Sequence, residues 1–296
     1  HQPKARIIEN GSWFDIQFDI SSVDETEVND VLSSLMQNKE YHQLRNGQVL
    51  MLDDEAYKET NQMLRLLRED IRLDGNRLEV PTYRSLVLSE AMTQLSDVET
   101  SDYFETMVDE LTHPEKVEVS LPNKLNATLR DYQLTGFKWF KTLSKYHFGG
   151  ILADDMGLGK TIQTIAYLLS EKVYGELKKP SVIVAPASLL YNWQLELEKF
   201  APSLKSKLII GGKEERNEQI ASLDDVDVAI ISYSTLRQDS TEFRKIDCHS
   251  VILDEAQMVK NSTTKTFQSI SGLKSDRVFA LSGTPIENRL EELWSL

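Results

Sequence analysis

The chain has 296 residues, of which 40% are hydrophobic and 27% are charged, and these proportions are those of a globular protein with about two domains. No run approaches the roughly 20 apolar residues that a membrane span requires, so we expect no membrane partner. The single cysteine, Cys248, excludes an internal disulfide and fits a cytoplasmic protein. Because the chain begins at His1 rather than at Met, we expect it to be a trimmed fragment.

The net charge of −14 is distributed unevenly along the chain. Residues 1–120 contain 11 Lys and Arg against 25 Asp and Glu, whereas residues 121–296 contain 22 of each class. This shift predicts an acidic accessory domain at 1–120 and a second domain at 121–296, with the boundary near 115–125. The field of the acidic domain repels phosphate backbones, which makes that domain a poor candidate for binding nucleic acid.

Short elements of both kinds fill the first predicted domain. The segment 13–20 alternates apolar and polar residues, which is the period of a half-buried strand. Ser21 and Ser22, followed by Asp24 and further acidic residues, predict the start of a helix. The pattern predicts a small α+β, winged-helix-like domain without a catalytic motif. Its other predicted elements are hairpins at 41–52 and 73–80, turning at Asn46-Gly47 and Asp74-Gly75-Asn76, and helices at 55–68 and 83–95.

Apolar runs separated by helical stretches fill the second predicted domain. Runs without polar alternation are typical of strands in a parallel sheet that helices cover on both faces. We therefore predict an α/β fold for residues 121–296. The predicted strands are 150–153, 181–185, 207–210, 226–232, 251–253 and 278–281.

The segment 153–161, ADDMGLGKT, lies between a predicted strand and a predicted helix at 162–169, which is the context of a phosphate-binding loop. Gly157 and Gly159 let the backbone turn tightly so that its N–H groups face phosphate oxygens. A chance glycine-lysine turn is the alternative, and the flanking strand and helix argue against it.

Within this loop, Lys160 would reach the β- and γ-phosphates of a nucleotide and Thr161 would bind Mg²⁺ through its hydroxyl. The general phosphate-loop pattern has glycine where this chain has Asp154, a departure that is found in helicase-like motors. The predicted loop contacts to the nucleotide come from Met156, Gly157, Leu158, Gly159, Lys160 and Thr161.

A pair of carboxylates, Asp254 and Glu255, follows the apolar run 251–253. Because parallel strands end at one edge of a sheet, we expect this pair to lie near the phosphate loop. Asp254 would then hold Mg²⁺, and Glu255 would orient and deprotonate the attacking water. A solvated strand end is the alternative for an acidic pair considered alone.

Five segments in fixed order resemble the first motor lobe of the Swi/Snf family of DNA-dependent ATPases, within the second helicase superfamily. The resemblance covers roughly residues 125–296 and implies a RecA-like sheet that binds ATP and Mg²⁺. The last segment is the most specific, and Gln257, where eukaryotic members usually have His, resembles the bacterial branch. The segments are LRDYQLTGFKWF (129–140), ADDMGLGKT (153–161), APASLLYNW (185–193), ILDEAQ (252–257) and LSGTPIENRLEELWSL (281–296).

The resemblance also implies roles for residues outside the phosphate loop. Gln133 would read adenine, because its amide pairs with both a donor and an acceptor, and Arg130 and Tyr132 would support that pocket. The residues expected to couple hydrolysis to movement of the motor are Gln257, Ser282, Gly283 and Thr284.

A nucleic-acid track is implied by two further segments. Ser188, Leu189, Asn192 and Trp193 match one family motif, and Ser234 lies in a weaker match at 232–236. Ser188 stands at a predicted helix start, where a hydroxyl and a backbone N–H can bind a phosphate. A plain N-cap role for Ser188 is equally compatible with the sequence.

Motors of this kind bind ATP between two RecA-like lobes, and the second lobe supplies arginines that accelerate hydrolysis by about 10³–10⁵ in related NTPases. The chain ends at Leu296, about where the first lobe is expected to finish, so we expect it to bind adenine nucleotide weakly and to turn it over very slowly or not at all. The intact protein is expected to move along duplex DNA without separating the strands, to displace or remodel bound proteins, and to be associated with the nucleoid.

Two other classes of function stay open from the sequence. One is a strand-separating or RNA-directed helicase, and the other is a non-enzymatic scaffold that responds to ATP. The acidic domain is expected to be either a module that binds a protein partner or a brake that imitates DNA charge.

Overall fold

The computed structural model describes residues 2–74, 77–153, 159–260, 264–275 and 277–283. The chain divides into two compact units, His1–Thr112 and His113–Leu296. Among the described residues, no helix combines the length and the apolar character that crossing a membrane requires.

The N-terminal unit is an α+β structure, as predicted. Its five-stranded sheet has the order β5-β6-β2-β1-β7, in which only β1 and β7 pair in parallel, and β3 and β4 form a separate hairpin. The strands are β1 (Lys4–Asn10), β2 (Trp13–Asp19), β3 (Tyr41–Gln43), β4 (Val49–Met51), β5 (Arg72–Asp74), β6 (Arg77–Pro81) and β7 (Val98–Glu99). The helices are α1 (Val28–Met36), α2 (Lys58–Leu66), α3 (Ser85–Met92) and α4 (Asp102–Thr112).

Alternating burial explains this sheet. Phe14 and Ile16 of β2 are buried, and Phe14 contacts Phe104 of α4 edge to face at 5.1 Å. The predicted strand at 13–20 and hairpin at 41–52 are confirmed. The predicted helix start is also confirmed, because Asp24 accepts the N–H of Thr26 and begins a 3₁₀ turn that leads into α1. The turn at 75–76 lies outside the described residues.

The C-terminal unit contains a six-stranded sheet of order β10-β11-β9-β12-β13-β8 in which every pair is parallel. All six predicted strands are confirmed, with small shifts of their ends. The strands are β8 (Gly150–Ala153), β9 (Ser181–Ala185), β10 (Ser206–Leu208), β11 (Val228–Ser232), β12 (Val251–Leu253) and β13 (Val278–Ser282). The helices are α5 (Asp131–Lys145), α6 (Lys160–Val173), α7 (Leu190–Phe200), α8 (Lys213–Ala221), α9 (Tyr233–Gln238), α10 (Ser240–Phe243), α11 (Gln257–Lys260) and α12 (Thr264–Ser271).

Both faces of this sheet are covered, which is why its strands are apolar throughout. In β9, Ile183 and Ala185 belong to the core layer beneath α5, α6 and α7, whereas Val182 and Val184 belong to the layer on the opposite face. The helices α5 and α6 approach closely at Gly136, where an added Cβ would lie 1.8 Å from the side-chain oxygen of Gln163.

We call the edge where these parallel strands begin the amino edge and the edge where they end the carboxyl edge. The amino edge holds a buried polar cluster around Glu171. Lys141 Nζ donates to Glu171 Oε2 at 3.0 Å, and the Ser144 hydroxyl donates to Oε1. His249 Nε2 lies 3.4 Å from the same oxygen, and Tyr167 Oη donates to Ser144 Oγ at 3.0 Å. These contacts join α5 and α6 to the segment that precedes β12.

The Glu171 carboxyl group is ionised in this cluster. Burial by itself would raise its pKa, but the contacts with His249, Lys141 and Ser144 together outweigh burial and lower the pKa to about 2. The charge of Glu171 is therefore part of the folded structure.

Candidate active site

The phosphate-loop segment ends at the carboxyl edge with Gly159. This residue has φ +121°, a left-handed conformation that favours glycine. An added Cβ would lie 2.7 Å from Gln133 Nε2 and 3.3 Å from Tyr132 Oη, so the space beside Gly159 also admits no larger residue. The predicted contacts Met156, Gly157 and Leu158 lie outside the described residues.

Lys160 is the first residue of α6 and is buried. Thr161 follows it in the first turn and is half-buried. Both therefore stand where the free backbone N–H groups of a helix start face an anion.

Gln133 is held at the start of α5. Its side-chain oxygen accepts the backbone N–H of Arg130 at 2.9 Å, an arrangement that caps the helix, and its nitrogen lies toward Gly159. The fold thus brings Gln133 and Tyr132 beside the end of the phosphate loop. Arg130 is exposed immediately before the helix. The contact of Gln133, Tyr132 and Arg130 with adenine stays a prediction.

Asp254 directly follows β12 at the same edge. Its Oδ2 accepts the indole N–H of Trp193 at 2.8 Å, and its Oδ1 accepts the backbone N–H of Glu255 at 2.9 Å. Burial raises the pKa of Asp254, while those two hydrogen bonds and the charge of Lys160 act in the opposite direction. Lys160, at the start of α6, lies at the same edge of the sheet.

Glu255 occupies a left-handed backbone conformation, with φ +48°. This region is uncommon for a residue other than glycine and is found where surrounding contacts hold the backbone. The carbonyl of Asp254 accepts the Tyr233 hydroxyl at 2.6 Å, and the Glu255 side chain accepts a hydrogen bond from the Gln257 amide nitrogen. The hydrogen bond to the Asp254 carbonyl and the hydrogen bond to the Glu255 side chain together set the direction of the Glu255 carboxylate.

Gln257 joins this carboxylate to β13. Its amide oxygen accepts the hydroxyl of Ser282 at 3.0 Å while its nitrogen donates to Glu255. Gly283, the next residue, lies beside Lys160, because a Cβ added there would be 3.8 Å from Lys160 Nζ. The structure therefore brings together three of the four predicted coupling residues with Glu255 and Lys160. The fourth, Thr284, lies outside the described residues.

The chemistry of this donor set fits a magnesium nucleotide. A buried lysine at a helix N-terminus suits phosphate oxygens, and the oxygens of Asp254 and Thr161 are of the type that Mg²⁺ prefers. Magnesium, when bound, would neutralise charge on the phosphates. Within one edge of the sheet, Asp254 offers a ligand for Mg²⁺, Lys160 offers a positive charge for the phosphates, and Glu255 offers a proton acceptor.

Four of the predicted nucleic-acid residues lie wholly or partly at the surface. Ser188 is exposed and Leu189 is half-buried in the 3₁₀ turn Ala187–Leu189, and Asn192 is exposed in the helix that follows. Ser234 is exposed at the start of α9. Ser188 lies inside the turn, whose N-cap is Pro186, so the alternative of a plain N-cap was wrong.

The ring of Trp193, which the resemblance placed near the nucleic-acid track, is not at the surface. Its ring is only 2% exposed and packs in the core, because α7 turns this position toward the sheet. The indole N–H donates a hydrogen bond to Asp254.

Two residues near the site were missed by sequence reasoning. Tyr233 donates a hydrogen bond to the backbone carbonyl of Asp254. Burial raises the pKa of the Glu196 carboxyl group of α7, and the negative charge of Asp254 adds to this effect. Tyr233 carried a usable signal, since a tyrosine directly after an apolar strand must find a partner for its hydroxyl when buried.

Comparison with known proteins bears on both units. Residues 132–296 match the family model of the SNF2-related domain, and residues 1–122 match the model described as bacterial SNF2 helicase associated. The chain is 36% identical over 265 residues to an uncharacterized ATP-dependent helicase of Mycoplasma pneumoniae, covering 86% of this chain and 25% of that protein. It is 42% identical over 198 residues to the putative ATP-dependent helicase/translocase YwqA of Bacillus subtilis, covering 66% and 22%.

A solved structure is also similar. The Sulfolobus solfataricus SWI2/SNF2 ATPase core in complex with double-stranded DNA superposes with a TM-score of 0.53 at 42% identity, covering 60% of this chain and 37% of that one. The chain spans about a quarter of the length of the two curated relatives. The predicted RecA-like lobe is confirmed, and the chain belongs to the SNF2 family, in its bacterial branch.

Proposed function

We propose that this chain is the ATP-binding lobe of a DNA-dependent ATPase that moves along duplex DNA and remodels or displaces proteins bound there. The observation that carries the proposal is the meeting of Lys160, Asp254, Glu255 and the Gln257–Ser282 pair at one carboxyl edge. These residues come from three segments that are spread over more than a hundred positions of the chain.

Each group has a distinct task in this proposal. Lys160 and the α6 N-terminus hold the phosphates, and Asp254 and Thr161 hold Mg²⁺. Glu255 accepts the proton of the attacking water, and its carboxylate is aimed by the hydrogen bond from Gln257. Because Gln257 also binds Ser282, a change in the position or charge of the Glu255 carboxylate on hydrolysis is transmitted through Gln257 to β13.

Duplex DNA is the proposed track. Its support is the relative solved with double-stranded DNA and the exposure of Ser188, Asn192 and Ser234. Hydroxyl and amide groups bind phosphates without reading bases, so affinity should depend steeply on salt and weakly on sequence.

For the N-terminal part we propose an accessory domain at residues 1–120, joined to the motor lobe at 121–296. The match to the bacterial SNF2 helicase-associated model and the concentration of negative charge support an accessory role. This domain either binds a protein partner or acts as a brake on the DNA track. Deletion of residues 1–120 should raise basal ATPase activity of the full-length protein if it is a brake, and leave it unchanged if it binds a partner.

The test of the proposed function is steady-state ATP hydrolysis by the full-length protein without nucleic acid and with duplex DNA, single-stranded DNA or RNA. Duplex DNA should stimulate most, and Glu255→Gln should abolish the turnover. A preference for single strands or RNA would indicate the alternative helicase class. Indifference to all three, with no loss in Glu255→Gln, would indicate a scaffold and contradict the proposal. Because duplex DNA is the proposed track, we also propose that the protein is cytoplasmic and associated with the nucleoid.

A further inference from the structure

Two buried aromatic residues donate hydrogen bonds to one residue of the site, Asp254. Trp193 Nε1 donates to the carboxylate at 2.8 Å, and Tyr233 Oη donates to the backbone carbonyl at 2.6 Å. Trp193 is 2% exposed and Tyr233 9% exposed, so neither ring is available to a ligand.

The two donors come from different elements, and each element carries exposed polar residues at the carboxyl edge. Trp193 belongs to the first turn of α7, next to the exposed Asn192 and just after the turn that contains Ser188. Tyr233 opens α9 and is followed by the exposed Ser234, whose hydroxyl contacts the N-cap hydroxyl of Ser232 at 3.1 Å.

These bonds act on the peptide between Asp254 and Glu255. Trp193 holds one carboxylate oxygen of Asp254, and the other oxygen holds the N–H of Glu255. Tyr233 holds the carbonyl on the same peptide. Together they fix the backbone at the point where Glu255 takes its left-handed conformation.

We propose that Trp193 and Tyr233 are positioning residues that transmit occupancy of the nucleic-acid track to Asp254 and Glu255. A displacement of α7 or α9 by a bound phosphate backbone moves an aromatic donor, and the donor moves the peptide that aims the Glu255 carboxylate. This inference rests on the proposed function, since it requires a nucleic acid at the exposed residues of these two helices. The nucleic-acid track is connected to Asp254 by two hydrogen bonds, one from α7 and one from α9, and no direct contact between Trp193 and nucleic acid is required.

A purely structural role for the two rings is the alternative, and variants that remove the donor group while keeping an aromatic ring distinguish the two. Tyr233→Phe removes one hydroxyl, and Trp193→Phe removes the indole N–H while keeping an aromatic ring in the core. Tyr167→Phe is the matched control, because it removes a buried tyrosine hydroxyl that donates to Ser144 at the opposite edge of the same sheet.

The experiment measures linkage as well as turnover in the full-length protein. The affinity for a fluorescent duplex is determined by anisotropy, with and without Mg²⁺ and a non-hydrolysable ATP analogue. The ratio of the two affinities is the coupling between the sites, which is typically about 5- to 150-fold where coupling exists. Hydrogen exchange of the Glu255 amide reports on the peptide directly.

In each donor variant we expect the coupling ratio to fall below about twofold, duplex stimulation of ATPase to fall by at least about fivefold, and the Glu255 amide to exchange faster. Tyr167→Phe should retain the wild-type ratio. Wild-type coupling in both donor variants, or an equal loss in Tyr167→Phe, overturns the proposal while leaving the proposed function in place. If the wild-type protein shows neither duplex stimulation nor sensitivity to Glu255→Gln, the proposed function fails, and the inference fails with it.

Discussion

The two edges of the parallel sheet use charged residues in opposite ways. At the carboxyl edge, Asp254 and Glu255 are half-buried, and their carboxylates accept hydrogen bonds from the neutral side chains of Trp193 and Gln257. At the amino edge, Glu171 is 2% exposed and is surrounded by Lys141, Ser144 and His249. A carboxylate that performs chemistry must remain accessible to water and ligand, whereas one that joins helices is stable only when its charge is matched.

This difference separates two kinds of variant. Changes at the carboxyl edge should alter turnover and leave the free energy of unfolding nearly unchanged. Changes at the amino edge should do the reverse.

The largest effect is expected for Glu255→Gln. Loss of the proton acceptor should reduce turnover by about 10²–10⁴-fold. Stability should be unchanged or slightly higher, because Glu255 is a like charge that raises the pKa of Asp254. Steady-state ATPase assays and denaturant unfolding of the same preparation measure both quantities. A variant with normal turnover would remove Glu255 from the mechanism.

The next effect is expected for Glu171→Gln. The change leaves the ammonium group of Lys141 without its charge partner in a site where the lysine side chain is only 12% exposed. Breaking a buried pair in this way costs about 3–5 kcal/mol. Denaturant unfolding should show that loss, while the turnover of the folded fraction stays near that of the wild type.

A matched control lies at the surface near the same edge. Lys179 and Asp247 form an exposed pair at 3.9 Å, and Lys179→Ala should cost no more than about 1 kcal/mol. Equal losses in the two variants would contradict the distinction between buried and exposed charge.

Acid should act on the amino edge at a defined pH. The folded-state pKa of Glu171 is about 2, below its ordinary value of 4.5, so its contribution to stability is present above pH 4.5 and is lost as the pH falls toward 2. The contribution is roughly 3 kcal/mol. Unfolding free energies measured across this range should fall more steeply for the wild type than for Glu171→Gln. Parallel curves would place the charge of Glu171 outside the stabilising cluster.

The smallest effect is expected for the bridge between Gln257 and Ser282. Removal of the Gln257–Ser282 hydrogen bond by Ser282→Ala should cost about 1 kcal/mol in the barrier, which is roughly a fivefold loss of duplex-stimulated turnover, whereas Gln257→Ala also removes the hydrogen bond to Glu255 and should lose more. Because Ser282 acts through its contact with Gln257, the double variant should lose little more than Gln257→Ala alone. Additive losses would show that they act independently.

Much of the motor lobe could be predicted because its signals are local. Unbroken apolar runs such as 181–185 predicted buried parallel strands, and the Gly159-Lys160-Thr161 segment between a strand and a helix predicted a phosphate site. Three elements of the N-terminal unit, β1, β7 and α4, were missed. The alternation in β1 is weak after Ile7, and the buried residues Phe104 and Met107 of α4 are surrounded by acidic positions.

Contacts between distant segments could not be predicted in the same way. The sequence placed Trp193 in a nucleic-acid motif, but the rotation of α7 against the sheet turned the indole toward Asp254, 61 positions away. The pairing of Glu171 with His249 has the same character, since the two residues come from different elements at the amino edge.

The sequence alone determined the family and the parallel sheet, and it predicted the groups that would bind phosphate, Mg²⁺ and water, because each depends on residue type and short-range spacing. The tertiary structure decided which of those groups share an edge, which aromatic residues hold Asp254, and which carboxylate serves stability. The physical reason is that side-chain direction and burial depend on how helices rotate against the sheet, and this rotation is set by packing across the whole core.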